Sequence, residues 1–362
     1  GAEIIENIEV LEVLQQHGKV SGVRTTQGDI KAPVVVNCAG MWARNLAKKA
    51  GVNVPLHAAE HFYVVTEPMA GMDPDLPVLR DQNACNYFKS DAGKLLVGTF
   101  EPNARPWGME GIPEDFCFDQ LPENLEHLEP YLEAAIHRIP KMGETGLQVL
   151  FNGPESFTHD DRFHLGEAPE VKNYFVAAGF NSIGIQSAGG AGKVLAEWIA
   201  QGHPPLDFNE YDIRRNMKFH GNARFLHDRT TETLGLLYAM HWPYRQYETA
   251  RGIRKSALHD RLKAANACFG EVAGWERANW FAADGQQPEY NYDFGRQNWF
   301  DAHAAEHTAV REQVGLFDQS SFSKFLVQGR DAVVALNRIC CNNIDVPVGR
   351  IVYTQWLNER GG

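Results

Sequence analysis

Apolar and polar residues alternate with a period of two over residues 3–36: EIIENIEVLEVLQQ, the turn HGK, then VSGVRTTQGDI. Side chains on a strand point to opposite faces in turn, so this stretch predicts strands with one buried face. PVVVNCAG (33–40) is a short apolar run, the pattern of a strand buried on both faces. MWARNLAKKA (41–50) predicts a helix ended by Gly51. HFYVVTEP predicts another strand, and NYFKSDAGKLLVGTF a hairpin turning at Asp91, Ala92 and Gly93. LPENLEHLEPYLEAAIHRIP (121–140) predicts an amphipathic helix with Pro122 near its start. Leu125, Leu128, Leu132, Ala135, Ile136 and Ile139 form its apolar stripe. NYFVAAG (173–179) reads as a buried strand leading into GFNSIGIQSAGGAGKVLAEWIAQG (179–202). There Ala191, Leu195, Trp198 and Ile199 recur at helical spacing, and Gly202 closes the helix.

The texture changes after Gly202. HPPLDFNEYDIRRN is a proline-bearing connection, and residues 210–256 are polar and aromatic, a pattern read as mostly helical. Aromatic residues crowd FGEVAGWERANWF and YNYDFGRQNWF. Residues 322–362 predict strand, helix, strand in FSKFLVQG, RDAVVALNRICC and IVYTQWLNE. The chain opens on Gly-Ala-Glu and stops in what reads as a hairpin turn at residues 358–362 without a return strand. Both ends read as cut, which predicts a fragment of a longer protein.

Composition narrows the function. With 44% hydrophobic and 22% charged residues, the 362-residue chain has a globular composition, enough for two or three domains. No apolar run approaches the ~20 residues that span a bilayer, so no membrane is expected as partner. The formal net charge of −12 and the lack of a basic cluster argue against nucleic acid and anionic lipid. Six cysteines at 38, 85, 117, 268, 340 and 341 form no C-x-x-C pair. All six read as reduced, which points to the cytoplasm, or to a mitochondrial matrix in a eukaryote.

The glycine-rich stretch fails as a phosphate loop, which needs a glycine five residues before Gly192 and Ser or Thr after Lys193. Positions 187 and 194 are Ser and Val, and no G-x-G-x-x-G occurs in the chain. What remains is a strand, a tight glycine turn and a helix. Glycine lets backbone approach a flat ligand, and a helix start offers free N–H groups at its positive end. That arrangement suits the negative charge of a reduced flavin; equally, the glycines serve helix–sheet packing. PVVVNCAG places a second glycine at the C-terminal end of a strand, where open α/β sheets bind ligands. His303, Glu306 and His307 match H-x-x-E-H with both histidines on one helical face. No third ligand can be named, so no metal is expected.

Taken together, VVVNCAGMWA and GPESFT…LGEAPEVKNYFVAAGFNSIGI…GGAGKVLAEWI resemble the sarcosine and dimethylglycine dehydrogenases, flavoproteins of the D-amino-acid-oxidase superfamily. PLHAAEHFYVVTEP, LPVLRD, YDIRR, GWERANWF, FDQSSFSKF and VYTQWLNERGG extend the likeness along the whole chain. The resemblance implies an α/β and α+β chain in three parts. Residues 1–204 would be the C-terminal portion of an FAD domain, with a substrate subdomain at about 56–165. Residues 205–258 would be a linking domain, and 259–362 the start of an aminomethyltransferase-like domain that binds tetrahydrofolate.

Position by position, the resemblance implies that Val10 contacts the adenosine part of FAD and that Ala39, Gly40 and Trp42 line the cofactor. Gly179, Phe180, Asn181, Ser182, Ile183, Gly184 and Ile185 would form the loop facing the isoalloxazine ring. His61 and Tyr87 match the family's active-site His and Tyr. A histidine suits the proton of a substrate amine, and a tyrosine its orientation; each residue also suits plain strand packing. Where related oxidases hold the substrate carboxylate with a Lys, this chain has neutral Gln186, leaving Arg80 as candidate or as a structural ion-pair partner. The implied reaction is FAD-dependent oxidative demethylation of an N-methylated glycine. Its carbon would leave as formaldehyde or pass to tetrahydrofolate, and its electrons would pass to an electron-transfer flavoprotein or oxygen. The alternative is a non-catalytic relative resembling the regulatory subunit of pyruvate dehydrogenase phosphatase, which PLHAAEHFY and RFLHDR…LYAM also match.

Overall fold

The computed structural model describes residues 1–242, 244–358 and 361. The chain starts with an antiparallel meander of β1 (Val10–Gln16), β2 (Lys19–Thr25) and β3 (Gly28–Lys31). Residues 3–9 do not extend it: Ile4 and Ile5 are exposed and no strand lies beside them. Alternation alone does not make a strand without a partner ladder.

A second sheet has the order β11 (His164–Glu167), β12 (Tyr174–Ala178), β4 (Val35–Asn37). Here β12 and β4 run parallel, with Tyr174 opposite Val35 and Val176 opposite Asn37. The apolar run 33–40 therefore yields three strand residues, and not a strand buried on both faces: Val36 is 39% exposed. Each parallel strand ends in a turn and a helix. A 3-10 turn, Gly40–Trp42, leads into α1 (Ala43–Lys49), and α3 (Gly184–Gln201) follows β12. Buried Ala191, Leu195 and Trp198 pack α3 on Leu165 and Phe175 of the sheet.

The largest sheet is antiparallel, with the order β10 (Leu147–Thr158), β5 (Leu56–Thr66), β8 (Lys94–Thr99), β7 (Asn86–Asp91), β6 (Leu79–Asp81). Strand β9 (Pro106–Trp107) also pairs β5. The hairpin of β7 and β8 turns at Ala92 and Gly93 as the sequence predicts. Helix α2 (Leu125–Arg138) covers one face through Leu128 and Ala135, against Phe62, Val64 and Phe88. It is shorter than 121–140. Asn124 caps it by accepting from the His127 N–H, which leaves Pro122 outside and Pro130 within. Leu125 and Ile136 of the expected stripe are exposed.

Helix in 210–256 is confined to 3-10 turns at Ile213–Arg215, Lys218–Gly221 and Leu234–Leu237 and to α4 (Ala223–Thr233). Residues 238–256 hold none among those described, contrary to the reading as mostly helical. Then come α5 (His259–Ala264), the hairpin β13 (Ala267–Val272) and β14 (Trp275–Phe281), α6 (Phe300–Glu312) and α7 (Ala332–Ile339). Among the described residues of 322–362 the expected helix is present but its flanking strands are not: only a Cys340–Trp356 bridge forms there. The expected turn at 358–362 lies partly outside the described residues. Among the described residues, no helix is long and apolar enough to cross a membrane.

Arg229 ties α4 to the β13 strand. Its side chain is 1% exposed, and its guanidinium pairs with Glu271 at 3.2 Å, donates to the Thr249 carbonyl at 3.1 Å and lies 4.0 Å from the Tyr247 ring centroid. Breaking a buried pair leaves an uncompensated charge. Arg229→Ala is therefore expected to cost about 3–5 kcal/mol, read from denaturant unfolding. Arg229→Lys should recover part of it.

Candidate active site

The register of the large sheet places chemistry-bearing side chains in rows. Phe151 on β10 lies opposite Tyr63 on β5, Tyr63 opposite Gly98 on β8, Gly98 opposite Tyr87 on β7, and Tyr87 opposite Arg80 on β6. Directly opposed residues share a face, so these five form one row. In the next row His61 lies opposite Gly153. Glycine is required in the middle of the first row because a Cβ at Gly98 would collide with the Tyr87 ring.

This face and the C-terminal ends of β4 and β12 enclose a cavity of about 1040 Å³. His61, Tyr63, Tyr87, Phe151 and Glu155 line one side; Gly40, Trp42, Gly179, Phe180 and Ser182 line the other. Helix α3 presents Ala188, Ala191, Gly192, Leu195, Ala196 and Ile199 to it. Their spacing of three and four residues is one helical face, and the small residues among them bring the cavity close to the helix axis. Among the described lining residues the charged ones are Asp119 and Glu155, and none is Lys or Arg.

His61 is held by its neighbours. Its ring meets Phe100 edge-on at 4.9 Å and Phe157 at 5.9 Å, and Nε2 lies 3.3 Å from Ser182 Oγ. Nδ1 is buried without a hydrogen-bond partner. Tyr87 packs 6.0 Å from Phe100, and burial, with Tyr238 and Glu155 nearby, pushes its phenol up to about 12. Tyr87 thus stays a protonated donor at neutral pH.

The turn from β12 into α3 is strained. Gly179, Asn181 and Ser182 all have positive φ, at 69°, 50° and 63°. Asn181 is buried and fixes the turn by accepting from the Thr158 N–H at 2.8 Å. Ile183, the N-cap residue of α3, offers no side-chain cap, so the first-turn N–H groups are left for another acceptor.

Seven of the residues expected at the site therefore meet in one cavity: Gly40, Trp42, His61, Tyr87, Gly179, Phe180 and Ser182. Others do not line it. Val10 begins β1 in the separate meander, half exposed beside Thr25. Ala39 packs into the core behind the strand end, its N–H donating to Asn37. The Asn181 side chain points back to Thr158, Ile185 is 99% exposed, and Gln186 is exposed. Ile183 and Gly184 start the helix beside the cavity, and a Cβ at Gly184 would make ordinary contact with Phe180 at 3.5 Å. Arg80 stands at the end of the Tyr87 row, 5.6 Å from the Tyr238 ring. His303, Glu306 and His307 lie on α6, and no metal-binding group of three ligands exists among the described residues.

Sequence reading missed Tyr63, Phe151 and Glu155. Tyr63 shares a face with His61 by strand alternation, which was readable. The other two needed the β5–β10 register.

Comparison with known proteins bears on the chain's family. Residues 1–198 match the model for FAD dependent oxidoreductases, 201–256 the FAD dependent oxidoreductase central domain, and 258–362 the GCVT N-terminal domain. The whole chain is 47% identical to 4-methylaminobutanoate oxidase (formaldehyde-forming) of Paenarthrobacter nicotinovorans, covering 44% of that protein. It is 37% identical to the mitochondrial pyruvate dehydrogenase phosphatase regulatory subunit of Mus musculus, covering 42% of it. It is 36% identical to mitochondrial sarcosine dehydrogenase of Homo sapiens, again covering 42%. The chain thus spans less than half the length of these relatives.

Proposed function

We propose, from the premise that the chain belongs to the FAD dependent oxidoreductase family, that it carries the substrate-facing wall of an enzyme that oxidatively demethylates an N-methylated amino acid. The observation that carries this reading is the convergence of His61 and Tyr87 on one aromatic-walled cavity, between two parallel strand ends and the uncapped start of α3. Sarcosine, dimethylglycine and 4-methylaminobutanoate are the substrates to test; the likeness to the 4-methylaminobutanoate oxidase favours the last.

The residues present suit FAD. Positive-φ Gly40 and Gly179 flank the cavity, and free N–H groups at α3 suit an anionic ring edge. Bound there, FAD supplies the two-electron acceptor for the hydride leaving the N-methyl carbon. Asp119 and Glu155 draw the substrate ammonium into a cavity without competing cations. His61 takes the amine proton, because a neutral nitrogen must precede hydride loss, and Ser182 fixes the ring edge that does so. The Tyr87 O–H orients the substrate, and the rings of Tyr63, Phe151 and Phe180 exclude water. Water then adds to the iminium to give formaldehyde and the demethylated amine.

Tetrahydrofolate as carbon acceptor is supported by the GCVT match. The cavity that Trp275, Arg277 and Phe322 line with Met217 and Arg254 is only about 280 Å³, below the usual ~300–1,000 Å³ of small-molecule sites. No step is therefore routed through it. The test is product analysis with full-length protein: one formaldehyde per amine consumed, with oxygen or an electron-transfer flavoprotein as oxidant. Consumption of an N-methyl amine without formaldehyde or a folate adduct would overturn the reading.

Gly179 carries a related prediction. A Cβ there would lie 2.6 Å from Thr158 Cγ2, at a φ that side chains rarely adopt. Gly179→Val is expected to lose most bound flavin, measured as flavin per protein after gel filtration. Gly184→Val should lose little, since its Cβ has room.

A further inference from the structure

We propose that Gly153 decides which amines the site accepts: by letting the Phe151 ring lie flat on β10, it leaves room beside His61 for a doubly methylated nitrogen. This deepens the proposed function and rests on it only for the oxidation of the amine.

Two glycines of the large sheet each carry the ring of a nearby residue. A Cβ built on Gly98 would collide with the Tyr87 ring, and one on Gly153 with the Phe151 ring, whose Cζ would lie 2.9 Å away. Neither glycine has a positive φ, so backbone conformation does not call for glycine at either position. Glycine in a strand interior weakens the strand and marks the close approach of another group. Here that group is in each case an aromatic ring: the three nearest heavy atoms to each built Cβ all belong to one side chain, Tyr87 or Phe151.

Gly153 lies directly opposite His61 across β10 and β5. Opposed residues share a face with their Cβ positions only about 5 Å apart, so the space above Gly153 adjoins the imidazole that takes the amine proton. Phe151 stands two residues before Gly153 on the same face, and both line the cavity. Side chains on a strand stand roughly perpendicular to the sheet and lean along the strand. Phe151 leans onto Gly153, and Tyr63, stacked against it at 4.7 Å, closes the way across the sheet. Denied its place on Gly153, the ring has to stand up into the cavity, where the second methyl group of a tertiary amine would sit. Tyr87 on Gly98 differs. It has the orienting role proposed above, so displacing it affects every amine alike.

The test uses the full-length, flavin-loaded protein. Wild type is expected to oxidise both 4-(methylamino)butanoate and 4-(dimethylamino)butanoate. Gly153→Ala should lower kcat/KM for the dimethyl compound, relative to the monomethyl one, by about tenfold or more, the discrimination that one carbon in a pocket supports. Adding Phe151→Leu to Gly153→Ala removes the ring and should restore most of that ratio. Gly98→Ala should slow both amines and leave the ratio as it is. Melting temperatures are checked alongside. A second readout needs no turnover: 4-(trimethylammonio)butanoate, whose quaternary nitrogen has no lone pair to assist hydride loss, is titrated against flavin absorbance. It should bind wild type, and bind Gly153→Ala about tenfold more weakly. A wild type that rejects the dimethyl compound, a ratio unchanged in Gly153→Ala, no recovery with Phe151→Leu, or an equal shift of the ratio in Gly98→Ala would each overturn the proposal. If no amine is oxidised while binding of the quaternary probe still depends on Gly153, the demethylase reading fails and the size limit stands.

Discussion

Replacing His61 by alanine is expected to slow reduction of the bound flavin about 10²–10⁴-fold, the range of a lost general acid–base group. The loss should fall on the chemical step. Glu155 and Tyr87, proposed to draw and orient the amine, are untouched by the substitution, so the apparent substrate Kd from stopped-flow should change little. Ser182→Ala gives a graded control. It removes the hydroxyl 3.3 Å from His61 Nε2 but leaves the ring between Phe100 and Phe157, so it should cost far less. A loss below tenfold for His61→Ala would reduce the residue to packing against Phe100.

Acid is expected to unfold the protein well above the carboxylate range. His159, His164 and His220 are buried together where β10, β11 and the Lys218–Gly221 turn meet, with His159 and His220 stacked at 3.9 Å. Burial lowers all three, His164 to about 3 and His220 to about 2; Arg215 also opposes the protonation of each, and Asp160, committed to Arg215 at 2.7 Å, favours it less than burial opposes it. A depressed histidine binds its proton in the unfolded chain first. Stability is therefore intact above the unfolded value near 6.5 and falls as pH drops below it. At pH 4.5 His164 and His220 together should cost about 5 kcal/mol, at 1.36 kcal/mol per pH unit each. Urea midpoints between pH 7.5 and 4.5 check this, and His220→Phe should flatten the decline. A midpoint constant down to pH 5 would contradict it.

Local signals were legible in the sequence where one segment decides its own structure. The strand, glycine turn and helix at 173–202 and the hairpin turn at 92–93 depend on glycines and periodicity within a few residues. His61 and Tyr87 came from the resemblance, and strand alternation alone could not have joined them, since β8 lies between their strands. The row from Phe151 to Arg80 exists only in the register of five strands. Conversely, residues 3–9 and 322–328 carry strand-like patterns and form no strand, because a strand needs a neighbour to share its ladder.

The most direct test of the central claim is anaerobic mixing of the full-length flavoprotein with 4-(methylamino)butanoate, followed by flavin absorbance. The account predicts bleaching of the oxidised flavin to the two-electron-reduced form, with one equivalent of formaldehyde after quenching. A flavin that stays oxidised in the presence of this amine, sarcosine and dimethylglycine alike would contradict it, and would favour a regulatory role like that named for the pyruvate dehydrogenase phosphatase regulatory subunit.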